Sequence, residues 1–309
     1  MKIAIIGPGA LGLLFAGYLH RGGAEVVLAD EDGERADLFN REGVRWEGDA
    51  EDFRFTVPAA VGLTGPETLD LVVLCVKAYH TRRAAGQIHE AGYRGPVLTL
   101  QNGLGNGELI EETCPGIEVI AGATSEGASL AAPNHVRHAG GGETVFGPLR
   151  EECPGREFLD GLAGIMNEGG LSAALSGNPQ GIVWSKAVVN AGINPLTAVF
   201  SVENGKLLEI EPARSLMAGL VDEAYGVARR KGVAMLYDDP VARVEEVCRL
   251  TASNYSSMCL DVRNRRRTEI DFINGAVVRE GAALGMACPL NDAMVKIIRG
   301  LEISREGLE

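Results

Sequence analysis

Residues 2–29 constrain the fold more tightly than any other stretch. Lys2–Ile6 is a short β-branched run, Ala10–Arg21 has the apolar spacing of a helix, and Glu25–Ala29 is apolar again. Between the first two lies GPGALG, Gly7-Pro8-Gly9-Ala10-Leu11-Gly12. Glycines in the spacing G-x-G-x-x-G, after a strand and opening a helix, have a physical purpose. The first allows the tight turn, the second lets backbone approach a pyrophosphate, and the third lets helix and strand pack closely. The helix then offers its free N–H groups and positive dipole end to the anion. A dinucleotide site is therefore predicted here, against the plainer reading of a structural turn. The uncharged stretch 3–19 also resembles a signal-peptide core. However, Gly7, Pro8, Gly9 and Gly12 break it, and no small-x-small cleavage site follows.

The rest of the first half repeats the pattern. Leu69–Val76 and Pro96–Leu100 are short apolar runs separated by helical stretches. Unbroken runs indicate strands buried on both faces, hence a parallel sheet covered by helices. Between Val119 and Pro148 the chain turns Gly-, Ala- and Thr-rich, which predicts a short antiparallel extension. From Asn178 on, the texture is helical. Asn178-Pro179, Glu211-Pro212 and Asp239-Pro240 signal helix starts, Arg229-Arg230-Lys231-Gly232 a helix end, and Thr268 with Asp271 a capping box. A chain of 309 residues suits two domains of roughly 150 residues each. The expected architecture is α/β: an N-terminal Rossmann-type doubly wound parallel sheet over residues 1–177, then an all-helical substrate and catalytic domain over 178–309.

Composition excludes some functions. A net charge of −13, from 42 acidic and 29 basic residues, argues against non-specific nucleic-acid binding. No apolar run reaches the length of a membrane span. The six cysteines, Cys75, Cys114, Cys153, Cys248, Cys259 and Cys288, form no CxxC pair, as expected of reduced thiols in a cytoplasmic protein. His135 and His138 fall in a loop-like segment without a third ligand, so no metal is expected. Leu207-Leu208 and Met235-Leu236-Tyr237 are loop-edge apolar residues available to a homodimer interface.

Two further features carry chemistry. The second strand runs into Asp30-Glu31-Asp32, about twenty residues beyond the glycines, where an acidic group bonds a ribose 2′-hydroxyl and repels a 2′-phosphate. Asp30 thus favours NADH over NADPH, unless Arg35 reaches back to hold a 2′-phosphate. In WSKAVVNAGIN, Lys186, Asn190 and Asn194 recur every four residues and share one face of a helix. The apolar neighbours Val183, Trp184, Val188, Val189 and Ile193 would desolvate the ammonium and lower its pKa, as a lysine general acid requires. The alternative is a lysine snorkelling to the surface.

At this level of detail the chain resembles the ketopantoate reductase family over essentially its full length. The strings that carry the resemblance are MKIAIIGPGALG, VKAYHT at 76–81, QNGLGN at 101–106, WSKAVVNAGINPLTA at 184–198, SSMCLDVRNRRRTEIDFINGAVV at 256–278 and CPLN at 288–291. The resemblance implies reduction of ketopantoate to (R)-pantoate by NADPH or NADH, in the synthesis of pantothenate and coenzyme A. It implies that Lys186 protonates the ketone oxygen as hydride arrives from the nicotinamide. It makes Glu269 the acidic residue that meets substrate and cofactor and supports the lysine. Asn102 falls near nicotinamide and substrate, Asn190, Asn194 and Ser257 hold the substrate, and Lys77 lies near the cofactor. Plainer readings stand beside three of these: Glu269 as a first-turn helix glutamate, Asn102 as the left-handed residue of an Asn-Gly turn, and Lys77 as a loop cation. The family mostly uses NADPH, from which Ala29-Asp30-Glu31-Asp32 departs. The Lys-x-x-x-Asn pair also occurs in β-hydroxyacid dehydrogenases, so a related oxidoreductase of another 2-oxo or hydroxy acid is the first alternative. A cofactor-sensing protein without turnover is the second, and a scaffold role the third.

Overall fold

The computed structural model describes residues 1–48, 51–150 and 155–306, and Cys153 lies outside them. The chain divides into two compact units. One comprises Met1–Gln101 with Asn106–Pro179, the other Asn102–Gly105 with Gln180–Glu309. The four-residue return of Asn102–Gly105 to the second unit is a feature that the linear reading lacks.

The first unit runs β1 (Lys2–Ile6), α1 (Ala10–Arg21), β2 (Glu25–Asp30), α2 (Gly33–Glu42), β3 (Val44–Glu47), β4 (Asp52–Phe55), β5 (Ala59–Val61) and β6 (Leu71–Leu74). It continues through α3 (Thr81–Glu90), β7 (Val97–Thr99), α4 (Asn106–Thr113), β8 (Val119–Thr124), β9 (Ala128–Ala132), β10 (His135–His138), β11 (Thr144–Pro148), α5 (Arg156–Glu168) and β12 (Ala173–Leu175). The main sheet has the order β12-β11-β8-β7-β6-β1-β2-β5 and is parallel except where β11 meets β8. Its central strands are buried on both faces. Ile3, Ile5, Leu71 and Val73 enter one apolar cluster, while Ala4, Ile6, Val72 and Leu74 enter another. Alternating side chains point to opposite faces, so an unbroken apolar run is what a sheet covered by helices on both sides demands.

The predicted antiparallel extension takes two forms. One is the β8–β11 pairing inside the main sheet, and the other a separate sheet of order β4-β3-β10-β9. The expectation of a loop around His135 and His138 is corrected, since these residues bound strand β10. Their rings lie against Glu47 and Glu126. The run expected to extend as a strand to Val76 ends at Leu74, where the chain turns outward into a single 3₁₀ turn, Ala78–His80.

The second unit holds α6 (Pro179–Phe200), whose first residue belongs to the sheet unit, then α7 (Lys206–Glu209), α8 (Glu211–Arg230), α9 (Pro240–Leu250), α10 (Ser257–Arg263), α11 (Asn274–Ala283) and α12 (Pro289–Glu306). Several starts and stops follow the predicted chemistry. Asp239 caps α9 by accepting from the Ala242 N–H at 2.9 Å, and Gly232 takes φ +82° just after α8. The capping box of Thr268 with Asp271 does not form. Helix α11 starts later, at Asn274, and the Asp271 carboxylate is drawn to Arg299 instead. Leu207 is fully buried in the core of this unit, which removes it from any interface; Leu236 is 59% exposed. The five described cysteines carry free thiols, and no helix among the described residues is long and apolar enough to cross a membrane.

Candidate active site

The glycine loop follows β1. Gly7 takes φ +82°, and a Cβ there would lie 2.6 Å from Val76 Cγ1, so the position excludes any side chain twice over. A Cβ at Gly12 would meet the Gly7 carbonyl oxygen at 2.5 Å, so the third glycine brings α1 down onto the turn. Gly9 differs: nothing lies within 4 Å of where its Cβ would be. It is the N-cap residue of α1, no side chain caps the helix there, and the first turn has no acidic group. Pro8, Ala10 and Leu11 complete a turn whose open face presents backbone N–H groups and a positive dipole end. This arrangement fits a dinucleotide pyrophosphate. Lys77 follows Val76, the residue packed against Gly7, and leads into the 3₁₀ turn.

Asp30, the last residue of β2, is already committed. Its Oδ1 accepts from the Glu31 and Asp32 N–H groups at 2.8 and 3.1 Å. Its Oδ2 pairs with Arg35 Nε and Nη2, each at 2.7 Å. Arg35 Nη2 also donates to the carbonyl of Pro8 at 3.0 Å. The arginine therefore does reach back to the glycine loop, but as the partner of Asp30, and it offsets the carboxylate's charge. Glu31 is paired with Arg83.

In the helical unit, Lys186 lies half-buried on α6 with Asn190, while Asn194 further along is buried. Burial of the ammonium pulls the Lys186 pKa down from 10.5 to about 8, and the charge of Glu269 opposes that drop. Glu269 itself is 6% exposed. It does not occupy a first helical turn. It begins a turn five residues ahead of α11, and its carbonyl accepts from the Phe272 and Ile273 N–H groups. The helix-dipole reading of this residue is thereby corrected, because the dipole end lies at Asn274.

Asn102 Nδ2 donates to Glu269 Oε2 at 3.4 Å, across 167 residues of sequence. The left-handed conformation expected of Asn102 belongs to its neighbours Gly103 and Gly105, at φ +87° and +85°. A Cβ on Gly103 would sit 2.3 Å from the Phe272 carbonyl oxygen, and the Leu104 N–H donates to that oxygen at 2.8 Å. This tight seam explains why Asn102–Gly105 packs with the helical unit. Lys186, Glu269 and Asn102 thus come together within one unit. Ser257 is the exposed first residue of α10. Its neighbour Ser256, to which the sequence assigns no role, is buried. It caps α10 through the Cys259 N–H and meets Thr197 Oγ1 of α6 at 2.7 Å. A serine pair at a helix start was the available signal; only burial separates their roles.

A Rossmann-type sheet with an uncapped glycine turn, followed by a helical unit holding a pKa-lowered lysine beside a carboxylate, defines a class: nicotinamide-dependent oxidoreductases of small oxo or hydroxy acids. The comparisons narrow it. Residues 3–151 match the family model "Ketopantoate reductase PanE/ApbA" and residues 178–302 that of its C-terminal domain. The chain belongs to the ketopantoate reductase family. It is 36% identical to the 2-dehydropantoate 2-reductase of Halobacterium salinarum, covering 97% of this chain and 98% of the relative. The 2-dehydropantoate 2-reductase of Archaeoglobus fulgidus is 32% identical, with the same coverage. Among solved structures, the ketopantoate reductase of Ralstonia eutropha superposes with a TM-score of 0.90 at 31% identity, covering 99% of this chain and all of that one. A ternary structure of D-mandelate dehydrogenase with NADH and anilino(oxo)acetate also gives 0.90, at 30% identity and coverage of 98% and 99%.

Proposed function

We propose that the protein is a 2-dehydropantoate 2-reductase, reducing ketopantoate to (R)-pantoate with a nicotinamide dinucleotide, and so serving pantothenate and coenzyme A synthesis in the cytoplasm. The observation that carries this reading is the gathering of Lys186, Asn102 and Glu269 in one unit, where the Asn102 amide meets the buried Glu269 carboxylate at 3.4 Å and burial lowers the Lys186 pKa to about 8. When bound, the reduced nicotinamide supplies the hydride. Everything else falls to side chains. Hydride arrival at a ketone carbon leaves negative charge on its oxygen, and a positioned ammonium both stabilises that charge and donates the proton. An ordinary lysine holds its proton too tightly near neutrality; a pKa of about 8 matches the working pH while leaving most of the population protonated.

The charge of Glu269 partly offsets the effect of burial on the lysine, and Asn102 holds one oxygen of that carboxylate. Asn190 and Asn194, on the lysine's face of α6, supply amides to the substrate, and Ser257 a hydroxyl. Residues 1–177 serve as the dinucleotide-binding domain, with Gly7–Gly12, Asp30 and Lys77 on the cofactor; Asn102 and, from the second domain, Glu269 also serve the cofactor. Residues 178–309 serve as the substrate and catalytic domain. NADH is the preferred dinucleotide because the acidic end of β2 suits a free ribose. The preference is modest because Arg35 offsets the charge of Asp30.

The test is nicotinamide oxidation, followed by absorbance, with ketopantoate and with aromatic 2-oxo acids such as benzoylformate, each with NADH and NADPH. Ketopantoate giving the highest kcat/KM supports the reading. Preference for an aromatic 2-oxo acid transfers the assignment to a D-2-hydroxyacid dehydrogenase, and no turnover with any of them contradicts an enzymatic role.

A further inference from the structure

Helix α6 carries a proline in its interior. Pro195 has no N–H, so the carbonyl of Ala191, four residues earlier, loses its helical donor, and the ring crowds it. Ala191 is fully buried, where an unpaired carbonyl is costly. The missing bond is supplied from another element. Asn274, the first residue of α11, donates its Nδ2 to Ala191 O at 3.0 Å. The same nitrogen donates to Asn291 Oδ1 at 2.9 Å. Asn291 Nδ2 in turn donates to Leu220 O at 3.1 Å and Glu223 Oε2 at 2.8 Å. The Glu223 carboxylate also accepts from the Leu290 and Asn291 N–H groups at 3.0 Å each, so the relay ties α6, α11, α12 and α8 together. Asn274 and Asn291 are both fully buried.

The orientation of the Asn274 amide is determined by its partners. Both Nδ2 hydrogens face acceptors, and a flip would set its oxygen against two other oxygens. As oriented, Oδ1 has no protein partner among the described residues. A position serving packing alone would be better filled by an apolar side chain than by a buried, half-satisfied amide. What the amide does achieve is a link. Ala191 lies between Lys186 with Asn190 on one side and Asn194 on the other. Asn274 directly follows the hydrogen-bonded turn that begins at Glu269, in which the Phe272 and Ile273 N–H groups donate to Glu269 O, and its neighbour Gly275 donates its N–H to Ile270 O. The tether therefore fixes the proline-broken stretch of α6 against the turn that carries Glu269.

Resting on the reading of Lys186 as proton donor, we propose that Asn274 is a positioning residue of the reductase, holding the Pro195 break of α6 so that Lys186 stands at its working distance from Glu269. It touches no reacting atom. The combination explains why α6 tolerates a proline here: the exposed carbonyl is the attachment point.

The test uses the full chain in four forms: wild type, Asn274→Leu, Pro195→Ala, and the double variant. Asn274→Leu is expected to lower kcat on the order of 10- to 100-fold with little change in dinucleotide Kd, since small misplacements at a reacting centre cost that much. It is also expected to move the alkaline limb of kcat/KM to lower pH, because a lysine farther from Glu269 loses its proton more easily. Pro195→Ala returns an N–H to the Ala191 carbonyl. In the double variant the Tm should recover in part, since Asn291 Oδ1 still lacks its donor, while kcat and the pH limb remain displaced. Recovery of all three would assign Asn274 a purely structural role and overturn the proposal, as would activity within about threefold of wild type in Asn274→Leu. Should Asn274→Leu alone not fold, the double variant decides by the same readouts. Lys186→Ala is run alongside. If it keeps its activity, the proton-donor reading fails. If it loses activity while Asn274→Leu does not, only the positioning role fails.

Discussion

The two halves of the machinery are specified in different ways. In the sheet unit the proposed cofactor loop is made of backbone, and its constraints are local. Gly7 needs its positive φ, Gly12 needs contact with Gly7, and Gly9 needs open space, all within six consecutive residues. In the helical unit the proposed chemistry rests on side chains from three distant places, Asn102, Lys186 and Glu269, gathered by packing. The difference has a mechanical consequence. Damage to the loop should weaken binding and leave proton transfer intact, whereas damage to the gathered set should weaken proton transfer and leave binding intact.

Lys186→Ala gives the largest expected effect: kcat falls by about 10²–10⁴-fold, the range of general acid catalysis, with unchanged dinucleotide affinity by fluorescence titration. A lysine whose native pKa is about 8 rather than 10.5 penalises the folded state fully below pH 8, and the penalty fades between about 8 and 10.5. The stability of wild type relative to Lys186→Ala should therefore rise between about pH 8 and 10.5, and a difference that stays flat across that window would argue against a desolvated ammonium. Gly7→Ala comes next. Forcing a side chain to φ +82° costs about 1–2 kcal/mol before its clash with Val76 is counted. The dinucleotide Kd should rise more than about tenfold, with kcat at saturation close to wild type. A fall in kcat with an unchanged Kd would erase the contrast between the two regions.

What could be read in the sequence follows the same division. The doubly wound sheet was legible because unbroken apolar runs mark strands buried on both faces, and the glycine turn because its demands are steric and contiguous. Lys186 was legible because a cation recurring with Asn190 and Asn194 on an apolar helical face is improbable in a plain core. Glu269 in a turn rather than a helix, the return of Asn102–Gly105 to the helical unit, and the commitment of Asp30 to Arg35 were not. The return of Asn102–Gly105 depends on the distant Phe272 carbonyl that lies opposite it, about which spacing along the chain carries no information. The other two are local choices, a turn against a helix at Glu269 and a carboxylate against a 2′-phosphate for Arg35, that spacing alone does not decide. Pro195 was visible as a residue, but its orphaned carbonyl and the amide that satisfies it lie on different helices.

Two smaller effects sharpen the comparison. Asp30→Ala leaves Arg35 beside the glycine loop without its carboxylate, and should shift the ratio of kcat/KM for NADPH over NADH upward by roughly tenfold. Arg35→Ala exposes the carboxylate's charge and should shift the ratio a few-fold the other way. An unmoved ratio in both variants would place dinucleotide selection outside this pair. Glu269→Gln removes the charge that raises the Lys186 pKa, so the alkaline limb of kcat/KM should move below about pH 8, read from rates across a pH series.

The most direct measurement is the pH dependence of ketopantoate reduction and of pantoate oxidation by the wild-type protein. Reduction consumes the proton on Lys186, so its kcat/KM should fall as pH rises through about 8. Oxidation needs the neutral amine, so its kcat/KM should rise through the same pH. Mirror-image limbs that disappear in Lys186→Ala are the predicted result. A reduction rate flat from neutrality to pH 10, or limbs that survive the loss of Lys186, would contradict the central claim that this lysine is the proton donor.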